Sequence, residues 1–384
     1  LYREFEALGH WRYSTFNEQR GANDTDAIPA LLRDIEEKRR IILRLHRRQR
    51  WDLFFVHLQA SDTVCHHFWP GWDRNSPRAR GCEPNDAIPQ VYRALDRLIG
   101  ELVEGHRGRV LLVSDHGFGG ASDVAVYLNR VLAELGLLSF RPPGPLARLS
   151  GVASAWAAAS LPPSWLGRLM QTLPKSWTGV MMSQARQPSV DFAGSDAFSD
   201  ELDYAPSIWL RRPLNSEQFQ RLEHALLSLR DPRNQRPLVA ALHRRQGAGK
   251  GPDLYVEPAW IDGYRTTFAP SAGAGPSVDI IPHEKLSVGR GFGMSGVHHP
   301  AGVVAVWGDG IAPGRIECGL PEIGASIPAL MGLPGRKHAK RAEPALALAL
   351  GLTSADAGAS RSSRRRELPI SSASIARLQA LGYL

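Results

Sequence analysis

The sequence predicts an α/β fold: a mostly parallel central sheet with helices on both faces, lacking its first strand and interrupted by a cap or insertion. Three observations predict it. A strand-like run, an amphipathic helix and a second strand-like run follow one another between Asp52 and Asp115, the order of a right-handed crossover unit in a parallel sheet. Both apolar runs lead to an aspartate, Asp62 and Asp115, and ligands of open α/β sheets gather beyond the carboxyl ends of the strands. From about Phe140 to Ser199, Pro, Gly, Ala and Trp dominate, and Pro142, Pro143, Pro145, Pro162, Pro163 and Pro174 break any long element.

In chain order, Asp26–Gln49 reads as an amphipathic helix. Ile28, Leu31, Leu32, Ile35, Ile42 and Leu45 recur at helical spacing, while Arg33, Arg39, Arg40, Arg47 and Arg48 lie mostly elsewhere as a solvated face. Asp52–Leu58 is short, apolar and rich in β-formers, which suits a buried parallel strand. A second helix spans Asp86 to about Glu104, with Ile88, Val91, Tyr92, Leu95, Leu98, Ile99 and Leu102 on one side, and leads into the strand Arg109–Asp115. Asn129–Leu137 looks helical. After the Pro-rich stretch come a strand at Ser207–Leu210, a helix from about Ser216 to Leu229, a strand at Gly302–Trp307 and a helix around Ile323–Met331. Ser354–Arg366 is a Ser/Ala/Arg-rich linker by composition, and Ile375–Leu384 a short apolar helix.

Composition narrows the function classes. With 384 residues and 43% hydrophobic content the chain can bury a sizeable core. The formal net charge of +8 suits an anionic partner, but Arg-rich helix faces give the same number. The Arg runs at Arg39–Arg50 and Arg361–Arg366 lack interleaved aromatics or a recognisable module, so a basic nucleic-acid binder ranks last. Cys65, Cys82 and Cys318 form neither a disulfide framework nor a Cys-rich zinc site, which favours a reducing compartment. No apolar run reaches the roughly 18 to 20 residues needed to span a bilayer. The chain opens at Leu1 without a targeting pattern or an apolar strand in its first residues, so the sequence predicts that a segment lies upstream.

Three motifs carry chemistry. Asp62 and His66 stand at i, i+4 on the helical turn after the first apolar run, where a carboxylate and an imidazole share a face and can hold a divalent metal. The competing reading of Asp62 is a helix N-cap. Ser114-Asp115-His116-Gly117 ends the second strand, and a carboxylate there is costly to bury without a cation or donors nearby. Gly296-Val297-His298-His299-Pro300-Ala301-Gly302 reads as a glycine-bounded loop presenting histidine. Only one of its two histidines can face a metal, because neighbours on an extended backbone point opposite ways. Two Asp and three His make a mixed oxygen and nitrogen set suited to zinc, manganese or iron rather than calcium. Two such ions about 4 Å apart can clamp the attacking and leaving oxygens of a phosphoryl transfer.

Asp62-x-x-x-His66 followed by His67-Phe68-Trp69, then Ser114-Asp115-His116-Gly117-Phe118, then Gly296-x-His298-x-Pro300-x-Gly302, resembles the type I phosphodiesterase/nucleotide pyrophosphatase family of the alkaline phosphatase superfamily. Leu128–Leu138, Gly308–Ile311, Ala325–Pro334 and Leu378–Leu384 add further matches. The resemblance implies an alkaline phosphatase-like core in residues 1–139 and 200–352, with a cap at 140–199 and a linker and C-terminal helix at 353–384. It implies one metal on Asp62, His66 and His298 and another on Asp115 and His116, zinc being the best suited. It also implies hydrolysis of a phosphodiester, nucleotide pyrophosphate or phosphomonoester. The pattern selects His298 over His299; His67, His57 and His299 are left as outer or structural histidines.

The sequence also departs from that family. Its nucleophilic Thr or Ser, and a further metal-binding Asp, belong to a first strand that residues 1–50 do not supply. Thr25, beside Asp26, suits a helix cap better. Without a nucleophile the covalent route cannot run as written, so an inactive metal- or ligand-binding remnant is the alternative. The sulfatase pattern fails, because Cys82-Glu83-Pro84-Asn85-Asp86 has Asp where Arg is required.

Overall fold

The computed structural model describes residues 27–106, 108–141, 190–245, 251–271, 273–286, 294–308, 311 and 313–330. Most of the expected cap, Thr25, the Ser/Arg-rich linker and the C-terminal helix lie outside the described residues. The chain divides into two compact units. The first combines Leu1–Arg50, Phe55–Glu104 and His116–Gly302; the second combines Trp51–Phe54, Gly105–Asp115 and Val303–Leu384.

The first unit opens with helix α1 (Ala27–Arg48), which buries Ala27, Leu31, Ile35 and Leu43 and leaves its Arg-rich side outward. Helix α2 (Ala60–Trp72) buries Val64, Cys65 and Phe68, and α3 (Ala87–Val103) buries Ile88, Val91, Leu95 and Leu98. These apolar stripes meet in one core, where a fully buried Phe68 contributes about 1.5–3 kcal/mol. Arg39 of α1 spans the rim, bonding Glu36 at 2.7 Å and Glu101 of α3 at 2.6 Å.

Strand β2 (Gly117–Val126) is the axis of a five-stranded sheet that includes β7 (Trp260–Ile261), β8 (Tyr264–Phe268), β9 (Val278–Ile280) and β10 (Gly296–His299). β10 runs antiparallel to β2 with His298 opposite Phe118, β9 is also antiparallel to it, and β8 is parallel. β7 and β8 form a hairpin whose two-residue turn, Asp262-Gly263, takes positive φ at both positions (53° and 87°), the conformation that Asp-Gly favours between strands.

A second sheet of four antiparallel strands runs in the order β3 (Ala197–Ser199), β4 (Ser207–Leu210), β6 (Leu254–Pro258), β5 (Val239–Arg244). Helices α4 (Leu128–Glu134) and α5 (Ser216–Leu227) share its core through Leu128, Leu132, Ile208, Leu222, Leu226, Leu238 and Leu254. The start of α5 is fixed by a capping box between Asn215 and Gln218. Asn129 is buried and reads the β3 edge as a backbone would: its Nδ2 donates to Ser199 O at 3.0 Å and its Oδ1 accepts from Ser199 N at 2.7 Å. A short helix α6 spans His283–Leu286.

In the second unit, β1 (Val110–Val113) pairs antiparallel with β11 (Val304–Trp307), and Ile323 of α7 (Leu320–Leu330) packs against Leu111, Val113, Val304 and Val306.

A mixed α/β architecture is present, but the mostly parallel central sheet is not confirmed. Among the described strand pairs only β2 with β8 is parallel, and β1 pairs antiparallel with β11. An apolar run signals a buried strand without saying which way its partner runs. The expected strand at Asp52–Leu58 forms no ladder, and Phe55 within it is 72% exposed. The expected loop at Gly296–Gly302 begins as a strand, β10.

Candidate metal centre

The centre belongs to the first unit, and three elements build it. Helix α2 carries Asp62 and His66 one turn apart. Gln59 occupies the N-cap position of this helix and makes no side-chain cap, so Asp62 lies inside the first turn and its carboxylate points away from a capping role. β10 brings His298, and His116 immediately precedes β2. The helix can settle on the sheet because β10 starts with glycine: a Cβ on Gly296 would stand 2.1 Å from Cys65 O. Ser295 then ties the strand to the helix, its N–H donating to His66 O at 2.8 Å.

Three ligand-type atoms converge. His66 Nε2 lies 3.0 Å from His298 Nε2, His298 Nε2 lies 3.2 Å from Asp62 Oδ1, and His66 Nε2 lies 3.4 Å from the same oxygen. His66 Nδ1 is 2.7 Å from Gly296 O and must donate to that carbonyl, so the neutral ring turns a lone pair at Nε2 toward the others. His116 is fixed the same way, its Nδ1 donating to Gly117 O at 3.0 Å while Nε2 stands 3.7 Å from Asp62 Oδ1. With the imidazoles neutral, electron-rich atoms face one another with too few protons to satisfy every close approach, a conflict that protonated imidazoles relieve by donating to Asp62. A cation resolves that conflict directly.

The spacing tests whether an ion fits. Ligands about 2.0–2.1 Å from a tetrahedral zinc stand roughly 3.3 Å from each other. The three separations bracket that value, and the donor chemistry of one carboxylate and two imidazoles suits zinc. Asp62, His66 and His298 thus form a group able to hold a metal ion.

Electrostatics points the same way. Burial, the largest single influence on Asp62, pushes its carboxyl upward, but the hydrogen bonds and charges of His298 and His66 together outweigh it and hold the group well below the usual carboxylate range. Its charge is therefore kept at any ordinary pH. Cys65 beside His66 contributes no thiolate: burial pushes its thiol up to about 11. The histidines and Asp62 retain partial exposure, from 15% for His66 to 37% for His298, so the centre is open to solvent and to a ligand.

The remaining sequence candidates take other places. His299 turns to the opposite face of β10, against Trp260 with centroids 4.7 Å apart, and its Nδ1 accepts from Ala301 N. His67 follows His66 on α2, about 100° around the helix, and His57 is exposed. Asp115 is an exposed residue two positions beyond β1 in the second unit.

Sequence reasoning quoted Phe118 and Trp69 without giving them roles. Phe118 packs edge-on against three histidines, and Trp69 stacks over Phe118 with centroids 6.5 Å apart. Asp73, which the sequence reading passed over, accepts from Trp69 Nε1 at 3.3 Å and from Tyr264 OH at 3.0 Å, and Tyr264 is pushed up to about 12 by burial and that bond. One signal for Phe118 was available: it stands two residues after His116 in an extended chain and so shares its face.

Among curated proteins and among solved structures, nothing matches the chain. A family model does: "Type I phosphodiesterase / nucleotide pyrophosphatase" matches residues 3–183. That span holds Asp62, His66, Asp115 and His116 and stops short of His298. The resemblance read from the motifs is matched by that model: over residues 3–183 the chain is similar to the type I phosphodiesterase/nucleotide pyrophosphatase family, a family of hydrolases.

Proposed function

We propose that the protein is a metal-dependent hydrolase of phosphate esters, acting on a phosphodiester, a nucleotide pyrophosphate or a phosphomonoester. One observation carries this reading: the convergence of Asp62 Oδ1, His66 Nε2 and His298 Nε2 at separations suited to one ion, in a chain similar to a family that hydrolyses phosphoryl bonds. Zinc suits the donor set best; manganese and iron are the other choices.

A divalent ion there supplies Lewis acidity toward a phosphoryl oxygen. The chain's own residues supply the rest. The Nδ1 atoms of His66 and His116 are directed to backbone carbonyls, which leaves Nε2 of each neutral ring available to a metal, and Asp62 stays ionised. Following the resemblance, His116 is assigned to a second ion. Ring geometry supports keeping His116 apart from the first ion. His116 and His298 stack with centroids 3.7 Å apart and planes 22° from parallel, and rings so arranged cannot both aim in-plane lone pairs at one ion about 2 Å away. They would instead hold two separate ions, as a two-metal reaction requires. The nucleophile is not assigned; the family pattern calls for a Thr or Ser ahead of Asp62.

The test uses the full chain stripped of metal and titrated with zinc at neutral pH, followed by turnover of bis(p-nitrophenyl) phosphate. Zinc binding with turnover, both lost in His66→Ala, is the expected result. Failure to bind zinc, manganese or iron refutes the reading, and zinc binding without turnover favours a binding module.

A further inference from the structure

We infer that Phe118 is a positioning residue of the metal centre: its phenyl ring is the common wall against which the three imidazoles are set. The inference rests on the metal reading proposed above and concerns how the chain prepares the site. Three separate elements bring their histidines to this one ring. His66, on the overlying helix α2, meets it with centroids 4.8 Å apart and planes at 79°; His298 lies at 5.4 Å and 84°; His116 lies at 5.4 Å and 62°. All three contacts are of the edge-to-face kind that aromatic quadrupoles favour.

The topology explains why one residue can do this. His116 and Phe118 are two apart in an extended segment and project to the same face. His298 is the direct antiparallel partner of Phe118, so their Cβ atoms stand about 4.5–5.5 Å apart. α2 lies over that face, held by Ser295 and admitted by Gly296. Hydrogen bonds at Nδ1 fix the tautomers of His66 and His116, but a single bond leaves an imidazole free to tilt about it. The phenyl ring removes that freedom for both. It does the same for His298, whose Nε2 faces Asp62 and His66. Trp69, one turn after His66 on α2, stacks over Phe118 and is itself held by Asp73, so the phenyl ring is in turn fixed by its neighbours.

A group that only fills space could be replaced by another apolar side chain of similar volume at little cost to metal binding. A group that sets ring orientation could not, because losing the fixed geometry of ligands lowers metal affinity by about tenfold to a hundredfold. Zinc affinity is therefore measured by competition with a chromophoric chelator in the full chain and in Phe118→Leu, Phe118→Met, Phe118→Tyr and Val91→Ala, with the melting temperature of each metal-free protein. Val91 is fully buried in the α1–α3 core and controls for a general loss of packing. The expected result is zinc affinity at least about tenfold weaker in the Leu and Met variants, and within about threefold of the parent in the Tyr variant and the Val91→Ala control. The cobalt-substituted Leu variant should show an altered ligand-field spectrum with an unchanged ion count. Parent-like affinity in Phe118→Leu or, if that protein does not fold, in Phe118→Met overturns the inference, as does an equal loss in Val91→Ala. A parent chain that binds no zinc instead removes the metal reading itself.

Discussion

Gly296→Ala tests the helix-on-sheet geometry with a single methyl group. An added Cβ would lie 2.1 Å from Cys65 O and 2.7 Å from Cys65 C, inside the 3.0 Å that such contacts almost never breach. Both opposing atoms are backbone, so no side chain can swing aside, and α2 must retreat by roughly 1 Å. Overpacking of this kind costs about 1–3 kcal/mol, a fall in melting temperature of roughly 2–10 °C for a unit of this size. The second effect is local. His66 follows Cys65, and its Nδ1 is bonded to the carbonyl of Gly296 itself, so the displacement opens the 3.0 and 3.4 Å separations around His66 Nε2. Metal sites tolerate only about 0.2 Å in ligand distance, and zinc affinity should fall by about tenfold to a hundredfold. Calorimetry of the metal-free protein and chelator competition for zinc read the two effects separately. A variant that melts within about 1 °C of the parent and binds zinc within about twofold would show that the helix is not seated on Gly296 as described.

Acid titration gives a further expectation. The Asp62 carboxyl is held below its ordinary value of 3.8, so in the metal-free protein it contributes stability that is fully present above that pH and is lost as pH falls toward the lower folded value. Denaturant unfolding followed from about pH 5 down to pH 2 should decline less steeply in Asp62→Asn than in the parent; equal slopes would contradict the assignment. Asn129→Ala removes the two hydrogen bonds that this side chain makes to the buried Ser199 backbone, at a cost of about 2–4 kcal/mol, to be read as a lower urea midpoint with unchanged slope. In Gly263→Val, a β-branched residue must adopt φ near +87°, which costs at least about 1–2 kcal/mol. A melting temperature equal to the parent's would mean that the β7–β8 turn is not built as described.

Helices were the legible part of this fold. α1 and α3 fall within one residue of the expected bounds at each end, because their apolar residues return every three or four positions and a one-residue error would expose the stripe. Strands were less legible where glycine replaced the alternating pattern. β2 begins Gly117-Phe118-Gly119-Gly120, which reads as a loop until its neighbours are known. Position 120 in this strand is glycine because Tyr264 and Trp69 occupy the space a side chain would need, information that lies far away in the sequence. The Asp262-Gly263 turn is different: two residues of that kind between apolar runs announce a hairpin, and the signal was present but passed over.

The candidate centre divides along the same line. The i, i+4 spacing of Asp62 and His66 needs only a helix to put both on one face, and a local pattern can supply that. The opposed directions of His298 and His299 need only extended backbone, and the structure does set them on opposite faces of β10. What no local pattern supplies is the register that places His298 opposite Phe118, or the choice of antiparallel pairing that brings β10 beside β2. A one-residue slip in that register would turn His298 to the Trp260 side and bring His299 over the helix. The ligand triangle therefore depends on a pairing fixed elsewhere, by the glycine that admits α2 and by the Ser295 bond that anchors β10 to it.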